Sequence, residues 1–368
     1  LPICTRAEDC AIALAAARAL ATPRHYRIRA DARRIDLTDR GRGAIAVAAG
    51  GNGGLWEVPR AREEMVSQAL SALHLHHRDQ HYIVADGKVQ IVDEFTGRVL
   101  EDRQWQAGLH QMVEVKEGLE ISAERRTLAQ ITFQEFFRRY LWFGGMSGTL
   151  AEVGRECARV YDRPVLRVPT HRPVRRRDRR PRLFRTEVAK LSAVAARARD
   201  VARQGRPVLI GTRSVEVSER LSARLEQTGT PHRVLNARQD ADEAAIVAEA
   251  GAPGRITIAT NMAGRGTDIG LTDAARVAGG LHVILTEYHE SRRIDRQLMG
   301  RAGRQGDPGS TEAMVALSDP VLRRFAPGLC RAVAAVVPAP WGRLPGRLAA
   351  PLRARAQAAA ERLARRNR

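Results

Sequence analysis

Cysteine is scarce in this chain. Cys4, Cys10, Cys157 and Cys330 are the only ones among 368 residues, with no CxxC pair and no histidine partner at zinc spacing. That argues against a structural metal site and a disulfide framework, and leaves a reducing cytoplasm as the expected compartment. No apolar run approaches the length needed to span a bilayer, and no signal peptide stands at Leu1. A GxxxxGK[ST] run, whose backbone amides and lysine hold nucleotide phosphates, occurs nowhere. Acidic residues number 41 against 61 Lys and Arg, for a formal net charge of +20. The excess favours a polyanionic neighbour, whether nucleic acid, an anionic membrane surface or a nucleotide, without choosing among them. The densest basic run, VRRRDRRPR at residues 174–182, lacks the interleaved aromatics that stack bases and reads as a solvated connector.

What is present is enough for two or three domains, with a hydrophobic content of 44% that suits a globular core. Residues 1–78 read as a helical, alanine-rich start, a hairpin at YRIRADARRIDLT and a glycine-rich linker near residues 50–54, followed by the helix-like MVSQALSALHLHHR. His74, His76 and His77 in that helix have no carboxylate or cysteine partners and read as packing or surface residues. From residue 150 to 319 short apolar strands such as PVLIGT, RITIAT and LHVILT alternate with amphipathic helices. That pattern implies an α/β domain whose parallel sheet is covered on both faces, with functional loops at the carboxyl ends of the strands.

Two glycine- and arginine-rich segments fall at such strand ends, TNMAGRGTDI at residues 260–269 and HESRRIDRQLMGRAGRQGD at residues 289–307. Gly264 and Gly266 let a backbone approach a ligand closely, and Arg265, Thr267 and Asp268 flank them. Arg301 and Arg304 are three apart, which on a helical turn puts both on one face. A guanidinium forks onto phosphate oxygens and can neutralise charge developing on a transferring phosphoryl group, so one of the pair is the candidate arginine finger. Gln297 and Gln305 are secondary candidates for hydrogen bonds at the same interface. The stretch KVQIVDEF resembles a metal-binding strand ending in Asp93 and Glu94. Asp86-Gly87 ahead of it is a two-residue hairpin signal, so these acids read as the end of an antiparallel strand that can also lie near nucleotide or a domain interface.

The two segments resemble motifs V and VI of superfamily 2 motors, and the chain is identified as a member of the SecA family of preprotein translocase ATPases. The resemblance covers roughly residues 25–320 and is carried also by YIVADGKVQIVDEFTGR, GLHQMVEVKEG, TLAQITFQEFFRRY, GGMSGT, VPTHRP, PVLIGTRSVEVSE and VLNARQDADEAAIVAEAG, in that order. Met299 and Tyr288 stand where the family usually has arginine, and the stretch after Ile269 is short. The resemblance implies a RecA-like P-loop NTPase domain of the superfamily 2 helicase type, preceded by remnants of an α+β cross-linking domain and a first motor domain. It implies the end of the preprotein cross-linking domain over residues 1–78, the last part of the first nucleotide-binding domain over 79–149, the second such domain over 150–325, and a basic helical tail over 326–368.

It further implies ATP with Mg as cofactor, held mainly by an upstream half that this chain lacks, so that the chain by itself is expected to be inactive and to be part of a longer or split protein. Implied partners are preproteins, the membrane channel of the Sec pathway, an anionic phospholipid surface and a second copy, with no specific nucleic acid. The implied location is the cytoplasm and the inner face of the cell membrane. Gly264, Arg265, Gly266 and Asp268 would sense nucleotide state, with Arg301 and Arg304 contacting the γ-phosphate. A superfamily 2 nucleic-acid helicase remnant and a non-catalytic regulatory fragment are the alternative readings. In the tail, Leu344, Leu348 and Leu352 recur every fourth residue among arginines, a pattern that suits either anionic lipid or packing against a scaffold.

Overall fold

The computed structural model describes residues 6–29, 34–92, 99–100, 103–123, 129–235, 243–260, 268–336 and 342–366. Its contacts divide the chain into two units, one ending at Ala129 and one covering Gln130–Arg368.

In the first unit, α1 (Ala7–Ala19) is followed by the antiparallel pair β1 (Tyr26–Arg29) and β2 (Arg34–Leu37), then α2 (Asp39–Ala48) and α3 (Pro59–His74). Strands β3 (Tyr82–Ala85), β4 (Lys88–Val92) and β5 (Val99–Leu100) form an antiparallel sheet, and α4 (Leu109–Lys116) closes the unit. Asp86 and Gly87 connect β3 to β4 with φ of 51° and 69°, the paired left-handed conformation of a tight hairpin turn, as their identity predicts. One core joins Leu14, Ile45, Trp56, Leu70, Tyr82 and Met112. Within it the Trp56 ring nitrogen donates to Asp9 at 3.1 Å. The Lys116 ammonium donates to the carbonyls of Ala72 and His76 and to the Tyr82 hydroxyl. The histidines pack as expected: Tyr26 Oη lies 2.8 Å from His74 Nε2, and His76 meets the Trp105 ring edge-on. Cys10 is disulfide-bonded and Cys157 and Cys330 are free. The disulfide corrects the reading from cysteine spacing, which looked only for paired motifs along the chain.

The second unit begins with the short helices α5 (Phe133–Phe137) and α6 (Gly154–Tyr161) and is built on an eight-stranded sheet. Its elements run β6 (Arg176–Asp178), β7 (Arg182–Phe184), α7 (Glu187–Arg203), β8 (Val208–Thr212), α8 (Val215–Gln227), β9 (Arg233–Leu235), α9 (Glu243–Glu249), β10 (Ile256–Thr260) and α10 (Asp273–Val277). They continue with β11 (Leu281–Leu285), α11 (Arg292–Met299), β12 (Gly309–Ala316), α12 (Pro320–Phe325), α13 (Pro327–Val336), β13 (Arg343–Leu344) and α14 (Ala349–Arg366). The strand order is β13-β7-β12-β11-β8-β10-β9, with β6 also on β12, and every pairing is parallel except β13 with β7. Strands β8, β10 and β11 are buried along their whole length, which is why they read as nearly unbroken apolar runs. Val208, Ile210, Ile258 and Ile284 face Leu191, Val194 and Leu221 of α7 and α8, while Leu209, Ala259 and Val283 form a core on the other face. Ser214 and Thr186 cap α8 and α7, each accepting from the backbone N–H three residues on.

Two expectations are corrected here. The run at residues 174–182 is solvated as expected, with most of its residues exposed, but it is more than a connector, because β6 within it and β7 from its last residue both pair with β12 in parallel. Nor do Leu344, Leu348 and Leu352 form a stripe on one helix. Pro345 and Gly346 interrupt the chain, α14 starts only at Ala349, and Leu344 and Leu352 are 2% and 0% exposed in the core with α12 and α13. No helix among the described residues is long and apolar enough to cross a membrane.

The sheet carries buried charge. Glu312 of β12 is 2% exposed and receives Arg182 Nε at 2.6 Å and Arg197 Nε at 2.9 Å. Burial works to raise its pKa, but the His282 ring 3.6 Å away and the charges of Arg182 and Arg197 outweigh it and hold the carboxyl at about 2. A carboxyl held below its unfolded value contributes stability that is present above that value and lost as pH falls through the folded one. Glu312→Gln is therefore expected to destabilise the protein near neutrality, with a gap to wild type that narrows between about pH 5 and about pH 3. Urea denaturation across a pH series reads that gap, and one that stayed constant would contradict the ionised Glu312.

Candidate functional site

The arginine segment is positioned by a buried polar lock. Asp295 of α11 accepts the His289 backbone N–H at 2.9 Å, and its Oδ1 lies 2.7 Å from the His289 ring Nδ1. From α14, the Gln357 amide donates to Asp295 Oδ2 at 2.7 Å and to the His289 carbonyl at 2.9 Å. On the next turn Leu298 lies directly over Gly211 of β8, where a Cβ would collide with it, so this glycine lets α11 settle onto the sheet. Arg296, on the outer side, pairs with Glu152 at 3.1 Å.

Arg301 and Arg304 are not on a helical turn, which corrects the spacing argument. Helix α11 ends at Met299, and Gly303 has a φ of 71° with the Arg176 side chain where its Cβ would stand. The left-handed glycine breaks the helical hydrogen-bond run between the two arginines. Arg304 is held instead by its own contacts, donating from Nε to the Gly300 carbonyl at 3.1 Å and from a terminal nitrogen to Asp268 Oδ1 at 3.2 Å.

Despite the broken helix, Arg301, Arg304 and Gln297 all line one cavity of about 1090 Å³, floored by Leu209, Gly211 and Ala259 of the sheet. Asp268 joins the cluster through Arg304. Gln305 does not line the cavity: it is exposed, and its carbonyl accepts from Arg172 at 2.9 Å. Asp93, Glu94, Gly264, Arg265, Gly266 and Thr267 lie outside the described residues.

Further lining residues that sequence reasoning did not assign to a site include Arg176 and Asp178 of β6 and Arg353 of α14. Arg176 Nε donates to Asp178 at 2.9 Å, and Thr311 Oγ1 donates to the same carboxylate at 2.8 Å. Burial works to raise the Asp178 pKa, but these bonds and the charges of Arg176 and Arg296 hold it below its ordinary value. The period-two spacing of Arg176 and Asp178 was the available signal, since residues two apart on a strand share a face. Nothing local in the sequence marks Arg353.

The cavity wall thus carries guanidinium groups around a small carboxylate complement. Such a wall suits a ligand with several negative oxygens.

Comparison with known families accords with that chemistry. The SecA preprotein cross-linking domain matches residues 6–114, and the SecA P-loop domain matches residues 173–277 and 272–337. Protein translocase subunit SecA 2 of Bordetella avium is 57% identical over 298 residues, which is 81% of this chain and 45% of that protein. The chain belongs to the SecA family. The SecA 2 subunit of Nitrosospira multiformis is 54% identical over 309 residues, 84% of this chain and 46% of that relative. The SecA subunit of Salinibacter ruber is 51% identical over 266 residues, 72% of this chain and 23% of its own length. The chain therefore spans less than half the length of these SecA proteins. The mixed α/β fold with its large, mostly parallel sheet is that expected of the SecA P-loop domain, and Gln297, Arg301 and Arg304 lie within the region this domain matches, while residues 147–149, Arg167, Ala350 and Arg353 of the cavity lining lie outside it.

Proposed function

We propose that this chain forms the nucleotide-responsive part of an ATP-driven motor for preprotein translocation, acting at the cytoplasmic membrane with the channel of the Sec pathway. The observation that carries this reading is the convergence on one cavity of Arg301, Arg304 and Gln297, all three within the region matched by the SecA P-loop domain. The residues around the cavity fit a polyphosphate, because guanidinium groups present paired N–H donors at the spacing of phosphate oxygens. Mg-ATP, when bound, supplies the energy of phosphoryl transfer. Arg301 and Arg304 orient its outer phosphate and balance the charge that develops there, while Gln297 adds a neutral hydrogen bond. No GxxxxGK[ST] run occurs in the sequence, so the assay supplies one on a second polypeptide. The match to the preprotein cross-linking domain favours an unfolded preprotein as the cargo over a nucleic acid strand. The net charge of +20 suits a position next to anionic phospholipid head groups.

Steady-state ATP hydrolysis, by the chain alone and mixed with a polypeptide carrying a SecA phosphate-binding loop, tests the reading. Activity is expected only in the mixture. Silence in both would leave the chain as a fragment with no catalytic role of its own.

A further inference from the structure

Helix α14 closes one side of the cavity, contributing Ala350 and Arg353 to its lining. Its position is set independently of any ligand. Ala349, Leu352 and Ala356 are fully buried against α12 and α13, and Gln357 is bonded to both His289 and Asp295 at the start of α11. Arg353 and Gln357 are four apart on α14, so they project from the same side of the helix. The residue that locks α14 to the arginine segment thus also aims Arg353 at the cavity that this segment lines.

The Arg353 side chain is held in place for an anion partner. Its guanidinium carbon lies 5.4 Å from the centroid of the Tyr288 ring, and Tyr288 is 2% exposed. Burial pushes the Tyr288 hydroxyl pKa up, so the ring stays a neutral platform. Stacking on an aromatic face occupies one side of a guanidinium and leaves the edge N–H groups available. Arg353 Nε is buried and has no hydrogen-bond partner among the described residues. A buried donor without an acceptor is costly, and an anion in the cavity would satisfy it.

We propose that Arg353 is a third anion-binding arginine of the cavity, engaging the same polyphosphate as Arg301 and Arg304, with Tyr288 as the platform that holds its plane. The proposal rests on the reading of the cavity as a phosphate site. It adds that the carboxyl-terminal helix takes part in recognising the ligand, and that ligand charge acts on α14 directly.

Inorganic tripolyphosphate, titrated into the full chain and followed by phosphorus NMR, tests this without any hydrolysis. Arg353→Gln is expected to weaken binding about 10-fold, as for the loss of a charge-assisted hydrogen bond. Arg355→Gln, the same charge change at an exposed position of the same helix, should leave binding unaltered. Wild-type affinity in Arg353→Gln alongside loss of binding in Arg304→Ala would overturn the role of Arg353 and leave the phosphate site standing. No binding by the unaltered chain would overturn both. A measurement on the unsubstituted protein guards against a variant that fails to fold. Tripolyphosphate should shield Arg353 from phenylglyoxal, mapped by mass spectrometry, while Arg355 labels equally with and without it. Equal labelling of Arg353 in both conditions would also overturn the proposal.

Discussion

Arg304→Ala is expected to lower ATP turnover in the assembled motor by about 10³ to 10⁵-fold, the range seen when an arginine that balances phosphoryl charge is lost. The argument begins with what holds Arg304 now. Its pair with Asp268 is at 3.2 Å, with the two side chains 39% and 49% exposed. An exposed pair of that kind is worth about 0–1 kcal/mol, so Asp268 keeps the guanidinium extended without competing strongly with a phosphate. The bond to the Gly300 carbonyl fixes the near end of the group, and Asp268 holds one terminal nitrogen. The loss should fall on kcat rather than KM, because the charge it meets is greatest in the transition state. Asp268→Asn, which removes only the resting partner, should cost far less. Unchanged turnover in Arg304→Ala would defeat the assignment, and an effect confined to KM would make Arg304 a ground-state contact.

The second large effect concerns stability. Lys190→Ala is expected to destabilise the second unit by about 3–5 kcal/mol, the usual cost of breaking a buried ion pair by removing one partner. Lys190 is 0% exposed, with its ammonium 2.6 Å from Asp319 Oδ1 and 3.8 Å from Glu287 Oε1. It is the cation between two carboxylates, and Asp319 in addition accepts the Ala316 backbone N–H at 2.7 Å. Burial pushes the Asp319 carboxyl up to about 7, against the opposing charge of Lys190. A raised carboxyl means that the folded protein holds a proton which the unfolded chain releases, so this group's contribution to stability falls as pH rises toward the folded value. Removing Lys190 raises that value further. The gap between wild type and Lys190→Ala should therefore stay constant below about pH 6 and widen as pH rises through about 7 in urea denaturation. The triple change Lys190→Met, Asp319→Asn and Glu287→Gln should recover much of the loss, since it leaves no uncompensated buried charge. A gap independent of pH would contradict the shared buried proton.

These expectations differ in how far the sequence led to them. The alternation of strands and helices after residue 150 was legible because each signal is local. A fully buried parallel strand must be apolar at every position, as in LHVIL, and a serine or threonine ahead of a helix caps it, as Ser214 does. The Asp86-Gly87 hairpin was legible for the same reason, since two adjacent residues carry all of its backbone requirement. The arginine segment was recognised as chemistry, but its geometry was not. The three-residue spacing of Arg301 and Arg304 matched a helix that Gly303 does not allow.

Residue order by itself determined the fold class and the family and singled out the arginine segment, because turn chemistry, hydrophobic period and motif wording act over a few neighbours. Only the tertiary structure decided that Arg176–Asp178 and Arg182–Phe184 are strands beside β12, that Leu344 and Leu352 are core, and that Arg353 lines the cavity of Arg301 and Arg304. Each of those depends on partners far along the chain. Basic runs and leucine stripes acquire their meaning from the strand register and helix docking that place Thr311 beside Asp178 and Gln357 beside Asp295.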